Sequence, residues 1–170
     1  MQAIGADDFL RRGVFDQEMI AHGVERIVVA PGLEGLREAV AQEAFELRFE
    51  PIVSAETLRF VAFEATLHWR HPQRGLLPPE AFLPAIESAR LTLPVSRWTL
   101  REACHQVARW RQRYPVLPDG ILHVTLSGAE LQQPDALDHL RRVLGETGVP
   151  GRALRLHIDE TAATRDPDAT

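Results

Sequence analysis

The stretch Phe63-Glu64-Ala65-Thr66-Leu67-His68-Trp69-Arg70-His71-Pro72 sets one carboxylate in the middle of an apolar run that begins at Arg59. Read as a buried β-segment from Arg59 to Leu67, it leaves Glu64 in need of a cation, a hydrogen-bond network or a proton. Glu64 is therefore expected to serve a site or to stand in a buried ion pair, with Arg155 or a charged His157 as partner. Phe45 to Val53 and Phe60 to Trp69 are the two strand candidates here, and only six residues separate them. A parallel crossover needs about a dozen residues or more, so the pair is expected to be an antiparallel hairpin.

Outward from this hairpin, Leu33 to Gln42 carries Leu33, Leu36 and Val40 with Arg37 and Glu38 turned away, the pattern of a short amphipathic helix. Pro78-Pro79-Glu80 opens a helix that runs to Ser88, with proline where first-turn donors lack partners in any case. Pro94 opens another, Ser96 to Tyr114, whose Trp98, Leu100, Ala103, Val107 and Trp110 recur at helical spacing. Pro115 and Pro118-Asp119-Gly120 end it. A strand from Ile121 to Leu126, a helix from Pro134 to Gly145, a turn at Gly148-Val149-Pro150 and a strand from Leu154 to Ile158 complete the series. This alternation predicts an α/β fold of four strands, three of them parallel. Residues 1–33 carry no such pattern, and Thr164 to Thr170 read as a frayed tail.

The bulk numbers exclude several classes. With 45% apolar and 25% charged residues in 170, the chain has the composition of a globular domain able to bury a core. A net charge of −5 gives no electrostatic footprint for nucleic acid. Cys104 is the single cysteine, so a disulfide framework and a cysteine-based zinc knuckle are both excluded. No apolar run reaches membrane-spanning length, and residues 1–20 carry charges where a signal peptide needs an apolar core. A cytoplasmic location is expected.

Glu46-Leu47-Arg48-Phe49-Glu50-Pro51-Ile52-Val53, then Phe63-Glu64-Ala65 through Trp69-Arg70-His71-Pro72, then Phe82-Leu83-Pro84 and Trp98-Thr99-Leu100-Arg101-Glu102-Ala103-Cys104 resemble, in order and spacing, the first half of an EAL domain. Members of that family hydrolyse the bacterial second messenger cyclic di-GMP. The resemblance covers residues 34–162. It implies a partial TIM-like (β/α) barrel of about four strands with an initial antiparallel hairpin. Val14-Phe15-Asp16-Gln17-Glu18-Met19 is similar to the end of a GGDEF module and its linker, so 1–33 reads as linker and 163–170 as tail. Such barrels place their chemistry at the carboxyl ends of parallel strands. By strand parity Glu64, Thr66 and His68 share one face, His123 and Thr125 another, and Arg155, His157 and Asp159 a third. The three faces are expected to converge on one pocket.

In the family, two divalent metals held by carboxylates and one Asn carry the hydrolysis. The resemblance equates Glu64 with the signature Glu, places Thr66 where the family has Leu, and puts His68 where an Arg contacts a substrate phosphate. Glu50 stands for the Gln before the Pro-Ile pair. Thr125, ahead of Leu126-Ser127, stands for the metal-ligand Asn. His157 stands for the ligand Glu of a Glu-x-Thr-Glu motif in which only Glu160 matches. The paired Asp motif, the catalytic Lys and the later Glu and Gln fall beyond Thr170. An imidazole in place of a carboxylate removes charge that holds a hard cation, and Arg155 adds charge of the wrong sign. The ligand-pocket candidates are therefore Glu50, Glu64, Thr66, His68, Thr125, Arg155, His157 and Glu160. No catalytic residue, metal or cofactor is expected, Glu64 being the one family ligand retained.

The reading that follows is a catalytically inactive EAL-like signalling domain, a regulatory or protein-interaction module in cyclic-di-GMP-related signal transduction. One alternative is a metal-independent cyclic-di-GMP sensor in which Arg155 and the histidines offset phosphate charge. Another is a fragment of a larger GGDEF/EAL phosphodiesterase. A zinc site from His68, His123 and His157 with Glu64 lacks any short ligand spacing. Ser127 has no His/Asp partner at a recognisable spacing for nucleophilic catalysis. A half-barrel would expose strand edges and an apolar face, so a homodimer or a partner protein is expected to cover Phe45–Val53 and Leu154–Ile158.

Overall fold

A computed structural model of the chain describes residues 33–158 except 115, 116 and 118. The N-terminal segment, Asp159, Glu160 and the tail lie outside the described residues. Helix α1 spans Leu33–Ala41 and leads into β1, Phe45–Val53, which pairs antiparallel with β2, Phe60–His71. The hairpin expected from the short connection is present. Strand β2 runs past its expected end at Trp69 through Arg70 and His71, because the short strand β3, Gly75–Leu77, folds back on Trp69, Arg70 and His71.

A single 3₁₀ turn at Pro79–Ala81 precedes α2, Leu83–Ser88, and α3 follows as a 22-residue rod, Thr92–Arg113. Its start lies ahead of the expected Ser96, since Pro94 sits within the first turn, where no intrahelical donor is lost. Strand β4, Leu122–Leu126, is followed by the short helix α4, Gly128–Leu131, and by α5, Ala136–Thr147. Gly148, at φ 66°, closes α5 in the left-handed conformation that a residue without Cβ adopts freely. The last strand is β5, Leu154–Ile158.

The strands form one five-stranded sheet in the order β1-β2-β4-β5, with β3 hydrogen-bonded beside β2. Strands β2, β4 and β5 are mutually parallel, as the helix–strand alternation predicts. The β4–β5 register runs the full length from Leu122↔Leu154 to Leu126↔Ile158. In contrast, β2 meets β4 only at Phe63↔Leu122 and Glu64↔His123, so the two separate toward their carboxyl ends.

All helices with buried faces pack on one side of the sheet and divide its core in two. Trp69, Phe82, Ile86, Val95 and Leu36 form a cluster under α1 and α2. Phe63, Leu100, Val107, Trp110, Leu122, Val124 and Val143 form the larger one under α3 and α5. Trp110 is 1% exposed, with ring centroids 4.9 Å from both Phe49 and Phe63. The three tryptophans thus serve packing, Trp98 lying against Phe45 at 5.8 Å. No helix among the described residues is long and apolar enough to cross a membrane.

Candidate functional site

The other side of the sheet is polar, which corrects the expectation of an apolar open face. Along β2 the buried Phe63, Ala65, Leu67 and Trp69 point to the helices, while Glu64, Thr66 and His68 alternate with them on the open side. Glu64 is consequently half-buried, not buried, and makes no ion pair among the described residues. The run is apolar on one face only; a carboxylate on the other needs no compensating cation.

Register assembles the candidates into rows. Glu50 lies opposite Glu64, Glu64 opposite His123, and His123 opposite Arg155. One step along, Arg48 lies opposite Thr66 and Thr125 opposite His157. Thr66 Oγ1 sits 3.2 Å from the Arg48 carbonyl and 3.3 Å from Glu50 Oε1, able to donate to either. His68 lies farther along β2, its Nδ1 3.4 Å from the Thr66 carbonyl oxygen, and faces Glu46. Glu50, Thr125, Arg155 and His157 are exposed. Glu160 lies outside the described residues.

The imidazoles of His123 and His157 approach to 4.8 Å between centroids at 43°. Burial lowers the proton affinity of His123 below its ordinary 6.5, the neighbouring His157 and Arg155 lower it further, and Glu64 opposes them. Its Nδ1 is buried without a hydrogen-bond partner among the described residues. Gly120, at φ 66°, lies beneath the Arg155 guanidinium, whose Nη2 would be 3.7 Å from a Cβ at that position. Among the described residues no group of three or more His, Cys, Asp or Glu side chains can hold a metal ion. His68, His123, His157 and Glu64 therefore do not close around one point.

Most of these candidates stand along the open face of the sheet. A cavity of about 680 Å³ instead opens where β2 and β4 separate, between the sheet and helices α2, α3 and α4, and of the candidates only Thr125 borders it. Sequence reasoning missed Glu46 and Arg48 on the open face, although counting by twos from Glu50 reaches both. It also missed a buried ionic cluster beside that cavity. There Glu130, 2% exposed, receives Arg97 Nε at 3.2 Å and His139 Nδ1 at 3.0 Å, while Arg97 Nη2 reaches Asp135 at 2.6 Å. The Arg97 guanidinium holds the Asp135 carboxyl below the usual carboxylate range. No sequence spacing ties Arg97 to Glu130; only the packing of α3 on α4 and α5 does.

An antiparallel hairpin leading into parallel strands, with helices on one face and polar side chains on the other, defines an α/β chain of the open-barrel class. The EAL domain family model matches residues 33–170, and the chain belongs to that family. It is 31% identical over 156 residues to the bifunctional diguanylate cyclase/cyclic di-GMP phosphodiesterase MucR of Pseudomonas aeruginosa, covering 92% of this chain and 22% of MucR. An uncharacterized protein of Mycobacterium tuberculosis is 34% identical over 135 residues, 79% of this chain and 44% of that protein. Among solved structures, the PaMucR phosphodiesterase in complex with c-di-GMP superposes with a TM-score of 0.72 at 32% identity, over 81% of this chain and 55% of that one. The FimX EAL domain from Pseudomonas aeruginosa bound to c-di-GMP gives 0.65 at 29% identity, over 78% and 51%. The chain thus spans about half of these structures, and about a fifth of the first curated relatives.

Proposed function

We propose that this EAL chain is catalytically inactive and acts as a regulatory or protein-interaction module in cyclic-di-GMP signalling. The observation that carries the reading is the composition of one row-and-neighbour group: Glu64, His123, Arg155, Thr125 and His157 share the open face. Where the family holds divalent cations in anionic oxygens, the groups around Glu64 are the carboxylate of Glu50 on one side and two imidazoles, a hydroxyl and a guanidinium on the other. A hard cation gains too little from such a set to shed its water. The donors do not fit the family's metals. The module is cytoplasmic in this reading, and self-association or a partner protein covers its sheet edges.

Incubation with cyclic di-GMP and Mg²⁺ or Mn²⁺ tests it. No linear product is expected; metal-dependent turnover lost in Glu64→Ala would overturn the proposal. A second reading, a metal-independent cyclic-di-GMP sensor, is favoured by Arg155 and the paired imidazoles, which can offset phosphate charge. Calorimetry with the nucleotide in chelator separates the two: binding lost in Arg155→Ala supports the sensor, and silence supports the interaction module.

A further inference from the structure

The turn between β2 and β3 takes its hydrogen bonds from one side chain. Pro72 has no amide hydrogen, and the next two amides, Gln73 N and Arg74 N, both donate to His71 Nδ1, at 3.1 and 3.3 Å. A ring nitrogen accepts only while it carries no proton, so both bonds need the neutral imidazole protonated at Nε2. In the imidazolium both nitrogens are donors, and no rotation of the ring restores an acceptor. The ring lies against Trp69, which is 1% exposed, with centroids 4.7 Å apart. Gly75, at φ 72°, then turns the chain back into β3.

This turn holds one lip of the cavity. At Trp69 and Arg70 one edge of β2 belongs to β1, since Trp69 faces Phe45 and Arg70 N donates to the Ala44 carbonyl at 2.9 Å. Strand β3, facing Trp69, Arg70 and His71, therefore lies on the other edge, the one that β4 leaves after Glu64. Between the departure of β4 and the arrival of β3, Ala65 and Leu67 border the cavity. Past β3 the chain passes to Pro79 and then to Leu83, Ile86 and Glu87 of α2, which border it too. The gap is thus internal to the sheet, between strands of known place. Strand β3 keeps its position with three register pairs and the buried Leu77, so the two turn bonds are a large part of what fixes it.

We propose that His71 is a proton-operated catch, which clamps the β2–β3 turn and the cavity lip behind it while neutral and releases both when protonated. The surrounding charges agree with this direction. Burial and Arg74, in the turn itself, oppose the imidazolium and lower the proton affinity of His71 below its ordinary 6.5. Arg70, on the other face of β2, is bound to Glu46 of β1, and Glu43, ahead of β1, is bound to Arg101 of α3. Arg37 and Glu38 of α1 and Glu80 beyond β3 are exposed, and β3 itself carries no charge. Among the described residues Arg74 supplies the one charge felt at the ring. The catch therefore holds fully above the ordinary value and opens as pH falls through the lowered one.

Long-range nitrogen-15 NMR on the unaltered chain should show His71 Nδ1 without a proton at neutral pH; the Nδ1–H tautomer would overturn the catch before any variant is made. Amide hydrogen exchange, corrected for its intrinsic pH dependence, should then show protection at Gly75–Leu77 falling on the order of tenfold between about pH 7.5 and about pH 5, the factor that a net hydrogen bond carries. His71→Asn separates this histidine from the others. Its side-chain oxygen can accept from the amide two residues on at either pH, so protection should stay high throughout. His71→Ala should be poorly protected throughout. Circular dichroism confirms that each variant compared is folded. Protection of the unaltered chain that ignores pH overturns the proposal, and so does a His71→Asn chain that loses protection in acid as the unaltered one does.

Discussion

Glu64 shows how far a single residue can be read from sequence alone. Its place in a strand and its face were legible because strand parity is exact in an unbroken register, whereas its row-mates on neighbouring strands follow from the register alone. Its burial was not legible, because apolar neighbours in sequence occupy the opposite face, and small Ala62 is buried without implying an apolar open side. His123 carries the measurable consequence. Its folded-state proton affinity lies below the ordinary 6.5, so the unfolded chain takes up a proton first as pH falls. The associated stability is full above pH 6.5 and is lost as pH drops through the folded value. Replacing His123 with Asn should flatten that acid-side loss in urea melts. In imidazole NMR titrations, Arg155→Ala should raise the His123 midpoint and Glu64→Gln should lower it. Cys104, pushed up to about 12 by burial, should resist thiol reagents until the protein unfolds.

At the scale of elements, β1 and β5 were legible to their ends, because alternating patterns stop at recognisable turns. Helix α4 and strand β3 were not, since four and three residues show no period. What the pattern missed nevertheless holds layers together. Glu130 belongs to α4, and its carboxylate joins Arg97 of α3 to His139 of α5. Glu130→Ala should cost about 3 kcal/mol in chemical denaturation, by leaving the buried His139 and the half-buried Arg97 without this anion. Trp110→Ala should cost roughly 3–5 kcal/mol, by opening a cavity between Phe49, Phe63 and α3. The two losses should add, the ionic cluster and the aromatic cluster having no member in common.

For the whole molecule, the narrow contact between β2 and β4 matters most. Five register pairs join β4 to β5, and two join β2 to β4. The core bridges this line, Phe63 and Ala65 of β2 sharing the larger cluster with Leu122 and Val124 of β4, and β1, β2 and α3 each reach into both clusters, so the backbone ladder alone marks the join. In amide hydrogen exchange this line should appear as a boundary between two cooperative opening units. Amides of β4 and its β5 partners would exchange together, on a timescale separate from those of the β1–β2–β3 meander. The Phe63 amide, bonded to the Ile121 carbonyl at 2.8 Å, sits on the boundary and should follow whichever unit opens first. A protein with so thin a join can loosen its hairpin half while the remainder stays closed, and a signal that reaches β1 would be felt first as a change in deuterium uptake along that join.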